Sequence, residues 1–174
     1  LDLRAVLTHS PAMIIRPYAP SDLPELYVIN QAGVPGVGDE TQETLGKWLG
    51  LHDARIAVDD SGKLLGFINL LPPGTMEYTS ANLRWLEAWG DDFIYVDRIA
   101  IAETARGQRI GEALYAAAFA AYAGTRSWIT CEVNLRPPNP GSLRFHDRLG
   151  FREIGRRSYA DDTKEVVYLA RPLA

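Results

Sequence analysis

The segment 93–122 constrains the fold most, because a predicted strand, FIYVDRIAI, passes through a short glycine turn into a predicted helix, ALYAAAFAAY. The turn between them is TARGQRIGE, with glycines at positions 107 and 111. Glycine at such a joint allows a backbone conformation, or a close approach, that a Cβ atom would prevent. A helix that begins there points free N–H groups and the positive end of its dipole at the turn. The segment therefore predicts an anion-binding site.

The rest of the chain surrounds this unit with predicted elements in the order β-α-α-β-β-β-α-β-α-β-β, which indicates a mixed α/β fold. At 174 residues the chain is long enough for one domain with a substantial core. We expect a single domain over residues 13–174 after an N-terminal extension of residues 1–12. Residues 75–92 are too long for an ordinary hairpin connection and predict a partly helical insertion or lid. The other predicted elements are a strand at 13–16, helices at 22–33 and 41–51, a hairpin at 54–74, a strand at 127–134, a helix at 142–150 and two closing antiparallel strands.

Composition argues against several classes of protein. A net charge of −4 disfavours nucleic-acid binding through a basic surface. No apolar run reaches the roughly eighteen residues that a membrane span requires, so no contact with a membrane is predicted. The single cysteine, Cys131, excludes an intrachain disulfide and fits a reducing compartment, so we expect a cytoplasmic protein. The histidines at positions 9, 52 and 146 lack metal-ligand spacing, and no metal site is predicted.

The charges are distributed unevenly along the chain. Residues 135–157 contain six arginines against Asp147 and Glu153, whereas the charges from Glu87 to Asp97 are all acidic. The first cluster suits an anion and the second suits a cation. Each is equally explained as an ordinary solvated face.

The glycine turn does not match the common nucleotide-binding motifs. A dinucleotide fingerprint requires Gly-x-Gly-x-x-Gly early in a repeated βαβ pattern, and a nucleotide P-loop requires Gly-Lys-Ser/Thr. Neither is present. On the turn alone, an anion cradle and a purely structural turn remain as alternatives.

The turn and a second motif together resemble the GCN5-related N-acetyltransferase (GNAT) superfamily. In that family Arg/Gln-x-x-Gly-x-Gly/Ala joins the fourth strand to the third helix, and this chain has RGQRIG at 106–111. A second family motif, Asn-x-x-Ala/Ser-x-x-hydrophobic-Tyr-x-x-x-Gly-Phe, is similar to NPGSLRFHDRLGF at 139–151. The resemblance covers residues 93–151. It implies a mostly antiparallel, strongly twisted sheet that is splayed between strands 4 and 5 and flanked by helices.

The resemblance also implies acetyl-coenzyme A (acetyl-CoA) as the co-substrate. The backbone N–H groups of residues 108–111 then form a cradle for its pyrophosphate. Arg109 replaces the family's middle glycine. We expect a helical backbone there and an added guanidinium contact with phosphate; a need for close approach would instead weaken binding. The residues assigned to the co-substrate are Ile99, Ala100, Ile101, Arg106, Gly107, Gln108, Arg109, Ile110, Gly111, Glu112, Asn134 and Asn139.

Acetyl transfer to an amine requires a base for the amine, a site for the oxyanion and a proton for the departing thiolate. The resemblance makes Glu132 the general base and Asp97, on the preceding strand, its rival. The alternative for Glu132 is a strand-end glutamate with no role. A backbone N–H near Ile99 or Ala100 is expected to hold the oxyanion. Residues next to each other in a strand face opposite ways, so Cys131 points away from Glu132 and is a core residue rather than a nucleophile.

The family's acid is a tyrosine on the helix after Asn139, and this chain has His146 at that position. An imidazole of ordinary pKa is partly protonated at neutral pH and suits proton donation to a thiolate. His146 is therefore the predicted catalytic acid. The alternative is a hydrogen-bonded core histidine.

The predicted function is N-acetyl transfer by direct attack of an amine in a ternary complex. The acceptor is a small-molecule amine or a protein amino group, and the acidic segment 87–97 favours a cationic one. Homodimers are common in the family, so a homodimer is one expected form of this protein. The alternative function is a non-catalytic acyl-CoA-binding module, which would keep the turn and lack working acid and base groups.

Overall fold

The computed structural model describes residues 12–159 and 161–174 and contains a seven-stranded sheet with helices on both faces. The predicted mixed α/β fold is confirmed. The predicted N-terminal extension, apart from residue 12, lies outside the described residues. The strands are β1 (Ile14–Pro17), β2 (Asp53–Val58), β3 (Leu64–Leu71), β4 (Phe93–Ile101), β5 (Trp128–Arg136), β6 (Arg152–Ser158) and β7 (Glu165–Pro172). The helices are α1 (Leu23–Gly33), α2 (Gln42–Leu49), α3 (Ala81–Trp89), α4 (Ile110–Tyr122) and α5 (Pro140–Arg148).

Two helices are defined by local capping. The predicted insertion at 75–92 contains α3, which begins after Ser80, whose hydroxyl accepts a hydrogen bond from the N–H of Asn82 at 3.2 Å. Helix α5 begins two residues earlier than predicted. Asn139 caps it by accepting from the N–H of Ser142 at 3.3 Å, and Pro140 suits the first helical position because it has no N–H to satisfy.

The sheet order is β1-β2-β3-β4-β5-β7-β6, and every neighbouring pair is antiparallel except β4 and β5. Those two parallel strands pair over three positions only, from Phe93 with Trp128 to Tyr95 with Thr130. Beyond that point each strand continues, to residues 101 and 136, without pairing to the other. This divergence confirms the predicted splay and leaves backbone edges of both strands free for a ligand.

A β-bulge lies where the two strands diverge. Leu70 pairs with Val96 and Asn69 pairs with Arg98, so Asp97 is an extra residue in β4 with no partner on β3. The bulge resets the alternation of side chains, and Val96 and Ile99 therefore contact the same apolar cluster although they are three residues apart. The bend places Asp97 beside the gap between β4 and β5.

The two faces of the sheet carry separate layers. Helices α4 and α5 cover one face, where the inward residues of α4 meet Cys131, Val133 and Phe151. Helices α1 and α2 cover one part of the opposite face, and α3 covers the rest with its buried Leu83 and Leu86. None of the helices in the described part of the chain is long and apolar enough to cross a membrane.

Candidate active site

A cavity of about 790 Å³ lies in the gap between β4 and β5 and reaches both faces of the sheet. On one face it is lined by the turn at 105–112, by Tyr115 of α4 and by residues 141–148 of α5. On the other face it is lined by residues 33–38, by Asn82 of α3 and by Lys164. The divergence of two parallel strands therefore creates a passage through the sheet. A ligand bound from one face can meet a second ligand bound from the other.

The turn before α4 has a left-handed backbone at two positions. Gly107 has φ of 76° and Arg109 has φ of 62°. The expectation that Arg109 continues the helical backbone is wrong: this position requires a positive φ, which explains why glycine suits it. The guanidinium of Arg109 lies 2.6 Å from the carboxylate of Glu112, so in this structure it pairs within the turn.

The start of α4 packs tightly against α5. A Cβ atom at Gly111 would lie 3.0 Å from the ring of Phe145, so glycine allows the two helices to approach. The first N–H groups of α4 have no acceptor within the helix itself and point toward the turn. Free N–H groups and the positive helix end together fit a phosphate group.

The residues predicted to bind the co-substrate lie together around the cavity, with one exception. Gln108 does not line it, and its side chain donates to the carbonyl of Thr104 at 3.2 Å. Asn134 lines the cavity, and its amide donates to the carbonyl of Pro35 at 2.8 Å, which ties the α1–α2 loop to β5. Asn139 also lines the cavity while its side chain caps α5.

One carboxyl oxygen of Glu132 accepts hydrogen bonds, and the other has no hydrogen-bond partner among the described residues. Its Oε1 accepts hydrogen bonds from Asn82 of α3 and from the hydroxyl of Tyr95, both at 3.0 Å. Its Oε2 is buried and has no hydrogen-bond partner among the described residues. Burial raises the pKa of this carboxyl from 4.5 to about 8, although the Tyr95 hydrogen bond opposes the shift. A cavity-lining carboxyl that titrates near neutrality, with one oxygen unpaired, suits proton transfer.

Asp97 lines the same cavity, but its carboxylate already accepts hydrogen bonds from three side chains. It is 2% exposed and receives hydrogen bonds from Asn69 at 3.0 Å, from Nε of Arg98 at 2.7 Å and from the hydroxyl of Tyr78. The Arg98 guanidinium in turn reaches Glu40 at 3.3 Å. An ion-paired carboxylate with three donors holds β3, β4 and the α1–α2 loop together and is poorly placed to accept another proton.

His146 is 4% exposed and faces inward. Its Nδ1 lies 2.8 Å from the carbonyl oxygen of Ser142. A carbonyl can only accept, so Nδ1 carries the hydrogen and Nε2 accepts from the hydroxyl of Tyr115 at 2.7 Å. Burial lowers the pKa of His146, partly offset by the Ser142 hydrogen bond, so the imidazole is neutral at pH 7. The predicted partial protonation is not favoured by these surroundings.

The sequence model of the acetyltransferase (GNAT) family matches residues 23–151, which is most of the chain. The chain belongs to this family. The match includes both motifs found in the sequence and the helices and strands that line the cavity from α1 to α5.

Solved acetyltransferase structures share the GNAT fold of this protein. The ribosomal-protein-S18-alanine N-acetyltransferase from Escherichia coli is 18% identical, with a TM-score of 0.71 over 94% of this chain and 95% of that chain. Ard1 from Thermoplasma volcanium is 20% identical, with a TM-score of 0.71 over 92% and 97% of the two chains. Arabidopsis thaliana NAA60 in complex with acetyl-CoA is 18% identical, with a TM-score of 0.67 over 92% and 98%. No curated protein matches the chain.

The predicted acidic surface for a cationic acceptor is not formed in this GNAT protein. Glu87 accepts from the N–H of Gly74 at 2.7 Å and pairs with Arg84 at 2.9 Å. Asp92 is bonded to the N–H of Ser127 at 3.2 Å, at the far end of β4. Of the four acidic residues in the segment 87–97, only Asp97 lines the cavity. The segment spans a helix, a loop and a strand, so its charges diverge in space.

Three of the six arginines in the stretch 135–157 form ion pairs. Arg136, Arg152 and Arg156 form ion pairs with Glu165, Asp147 and Glu153, respectively, at 2.6 to 2.9 Å. Arg148 of α5 lines the cavity on the α4–α5 face. It is therefore the arginine of this stretch that the structure places at the site.

The residues that line the site but were absent from the sequence-based assignment include Asn82, Tyr115 and Lys164. Asn82 lies in the helix of the predicted insertion, and the Ser80 cap was its only local signal. Tyr115 is a buried residue of α4 and offers no motif of its own. In the described ranges, 12–159 and 161–174, no three His, Cys, Asp or Glu side chains cluster closely enough to hold a metal ion.

Proposed function

We propose that this GNAT protein is an acetyl-CoA-dependent N-acetyltransferase in which an amine attacks the acetyl group directly in a ternary complex. One observation carries the proposal. The cavity that joins the helix-start turn on one face of the sheet to the other face is lined by Glu132, a carboxyl with one buried, unpaired oxygen. Such an oxygen in a native site needs a function or a bound partner to explain it.

Acetyl-CoA is proposed to bind from the face of α4 and α5. The N–H groups of residues 108–111 receive its pyrophosphate, and the exposed guanidinium of Arg148 or Arg106 adds charge nearby. The amide groups of its pantetheine arm pair with the free edge of β4 at 99–101, which β5 leaves unpaired. This arrangement brings the thioester into the gap beside Glu132.

In the proposed reaction the amine nitrogen forms a bond to the acetyl carbonyl carbon, and the bond from that carbon to sulfur breaks. Glu132 accepts the proton that the amine loses, directly or through a water molecule. A backbone N–H near Ile99 or Ala100 on the free edge of β4 holds the oxyanion. Asn82 and Tyr95 hold Oε1 of Glu132, so the unpaired Oε2 is the atom left to receive the proton.

The departing thiolate is proposed to take its proton from the Tyr115–His146 pair, both of which line the cavity. From the sequence, His146 alone was predicted to donate the proton to the thiolate. Because the Nδ1 hydrogen of His146 is bonded to Ser142, the hydrogen that can be delivered lies on the hydroxyl of Tyr115. His146 then orients that hydroxyl, and its role as the acid itself stays a prediction.

The GNAT structures compared above include one whose name specifies an alanine N-acetyltransferase of a ribosomal protein. For this chain an amine acceptor is proposed on the family's chemistry. The cytoplasmic location of the protein, its homodimeric form and the absence of nucleic-acid and membrane contacts stay predictions.

The test is release of free CoA thiol from acetyl-CoA across a panel of amines, with a matched pair of variants. Glu132→Gln should lower kcat by about 10²- to 10⁴-fold, the contribution of a positioned base. Glu25→Gln, at an exposed position of α1, should leave kcat unchanged. Acetyl-CoA binding without thiol release for any amine would instead establish the alternative, a non-catalytic acyl-CoA-binding module.

A further inference from the structure

The cavity has an acceptor end, which we define as the part lined by residues 33–38, Asn82, Glu132 and Lys164. It lies on the face of the sheet opposite α4 and α5. Lys164 directly precedes β7 and lines the cavity. Its ammonium lies 4.9 Å from the ring of Tyr159, which packs in the α3 layer. Under the proposed function, this end receives the amine.

The charges at the acceptor end are not balanced within the protein. Asp97 and Arg98 pair with each other at 2.7 Å, so they cancel. Lys164 forms no ion pair within 4.0 Å among residues 12–159 and 161–174, and Glu132 forms none either. The positive charge of Lys164 nevertheless acts on the Glu132 carboxyl. The two groups therefore face one cavity, Glu132 from β5 and Lys164 from the residue before β7, without forming an ion pair.

A ligand that complements this pair carries an amine, which suits the proton-accepting carboxyl of Glu132, and an anionic group, which suits the ammonium of Lys164. A simple cationic amine would leave Lys164 unpaired and would be repelled by it. None of the acidic residues at 87–92 lines the cavity, so they offer no further attraction for a cation there.

We infer that the acceptor is an amine that also carries a carboxylate, of the class of free amino acids, and that Lys164 is the residue that recognises the carboxylate. The inference rests on the proposed function. The acceptor end is closed on one side by the α1–α2 loop, which Asn134 holds through Pro35 at 2.8 Å, and on another by α3. Such walls favour a compact acceptor over a polypeptide chain.

The test compares kcat/KM for several L-amino acids with kcat/KM for their primary amides. The two members of each pair have the same side chain and the same amino group, and they differ in the carboxylate. The amine of the amide is less basic and more fully deprotonated at neutral pH, so amine reactivity alone favours the amide. A preference of the wild-type protein for the acid, by about tenfold or more, would support the inference.

The variant Lys164→Met should then lower kcat/KM for the acids by about 10- to 100-fold, mainly through KM, and leave the amides unchanged. Removing Lys164 also changes the ionisation of Glu132, but that change affects acid and amide equally and cancels in their ratio. Lys63→Met, in the exposed β2–β3 turn, is the matched control. Lys164→Arg keeps the charge and should keep the preference, which guards against a variant that merely folds poorly.

Three results would overturn the inference. The first is equal kcat/KM for acids and amides in the wild-type protein, or equal loss for both in Lys164→Met. The second is acetylation of peptides with no acetylation of free amino acids. The third is weakened acetyl-CoA binding in Lys164→Met, which would assign Lys164 to the co-substrate. If amides are still acetylated in any of these cases, the proposed function stands. If no amine is acetylated, both the proposed function and the inference are refuted.

Discussion

Replacing Glu132 by glutamine removes a carboxyl group whose pKa burial raises from 4.5 to about 8. The folded protein therefore holds this proton more tightly than the unfolded chain does. Below about pH 4.5 the carboxyl is protonated in both states and carries no penalty. As the pH rises from about 4.5 to about 8, the unfolded chain loses this proton while the folded protein still holds it. The free energy of unfolding therefore falls over this interval.

The size of this loss follows from the two pKa values. Each unit of difference corresponds to about 1.4 kcal/mol, so the full effect is at most about 5 kcal/mol. Between about pH 5 and about pH 8 the carboxyl should lower the free energy of unfolding by about 3 to 4 kcal/mol. The glutamine side chain of the Glu132→Gln variant can still accept from Asn82 and Tyr95 through its own oxygen, so the packing around the side chain is kept.

The assay is urea unfolding of the wild-type protein and Glu132→Gln at several pH values across this interval. All other titrating groups are shared, so they cancel in the difference between the two proteins. The variant should gain stability relative to wild type as the pH rises. Glu25→Gln, which removes an exposed carboxyl, is the control for the loss of one charge. Parallel stability curves for wild type and Glu132→Gln would refute the raised pKa and the role built on it.

Three further predictions test the glycine turn, the packing of β6 against Trp85 and the role of His146. Arg109→Gly should leave Tm unchanged or raise it by a few °C, because a left-handed non-glycine residue costs about 1 to 2 kcal/mol, whereas Arg109→Val should lower it; the reverse ranking would contradict the turn geometry. Gly155→Ala should lower the free energy of unfolding by about 1 to 3 kcal/mol, because its Cβ would lie 2.4 Å from Trp85; Gly141→Ala, which meets nothing, should not, and equal effects would refute the contact. His146→Phe should lower kcat with little change in acetyl-CoA affinity, and unchanged turnover would remove His146 from the mechanism.

Features that depend on local patterns were predictable from the sequence. The period of two along β5 places Ile129, Cys131 and Val133 in the core beneath α4, and Glu132 on the other face, as expected. The glycine turn lies between β4 and α4 as predicted. Even the early start of α5 has a local signal in its Asn139 cap.

The features that the sequence did not reveal depend on contacts between distant residues. Asn82 holds Glu132 although the two are 50 residues apart, and the donors around Asp97 come from three separate elements. Without those contacts, Asp97 remains a rival to Glu132 for the role of the base. The left-handed backbone of Arg109 was likewise not expected from its residue type.

The central claim is that the turn and the gap between β4 and β5 bind acetyl-CoA, and thermal unfolding with and without acetyl-CoA tests it most directly. At a concentration about 100-fold above Kd, binding adds about 2.7 kcal/mol to the free energy of unfolding. For a chain of this size that corresponds to a rise in Tm of about 5 to 11 °C. The account predicts this rise for acetyl-CoA and none for NAD or ATP at the same concentration. No rise with acetyl-CoA, or an equal rise with all three, would contradict it.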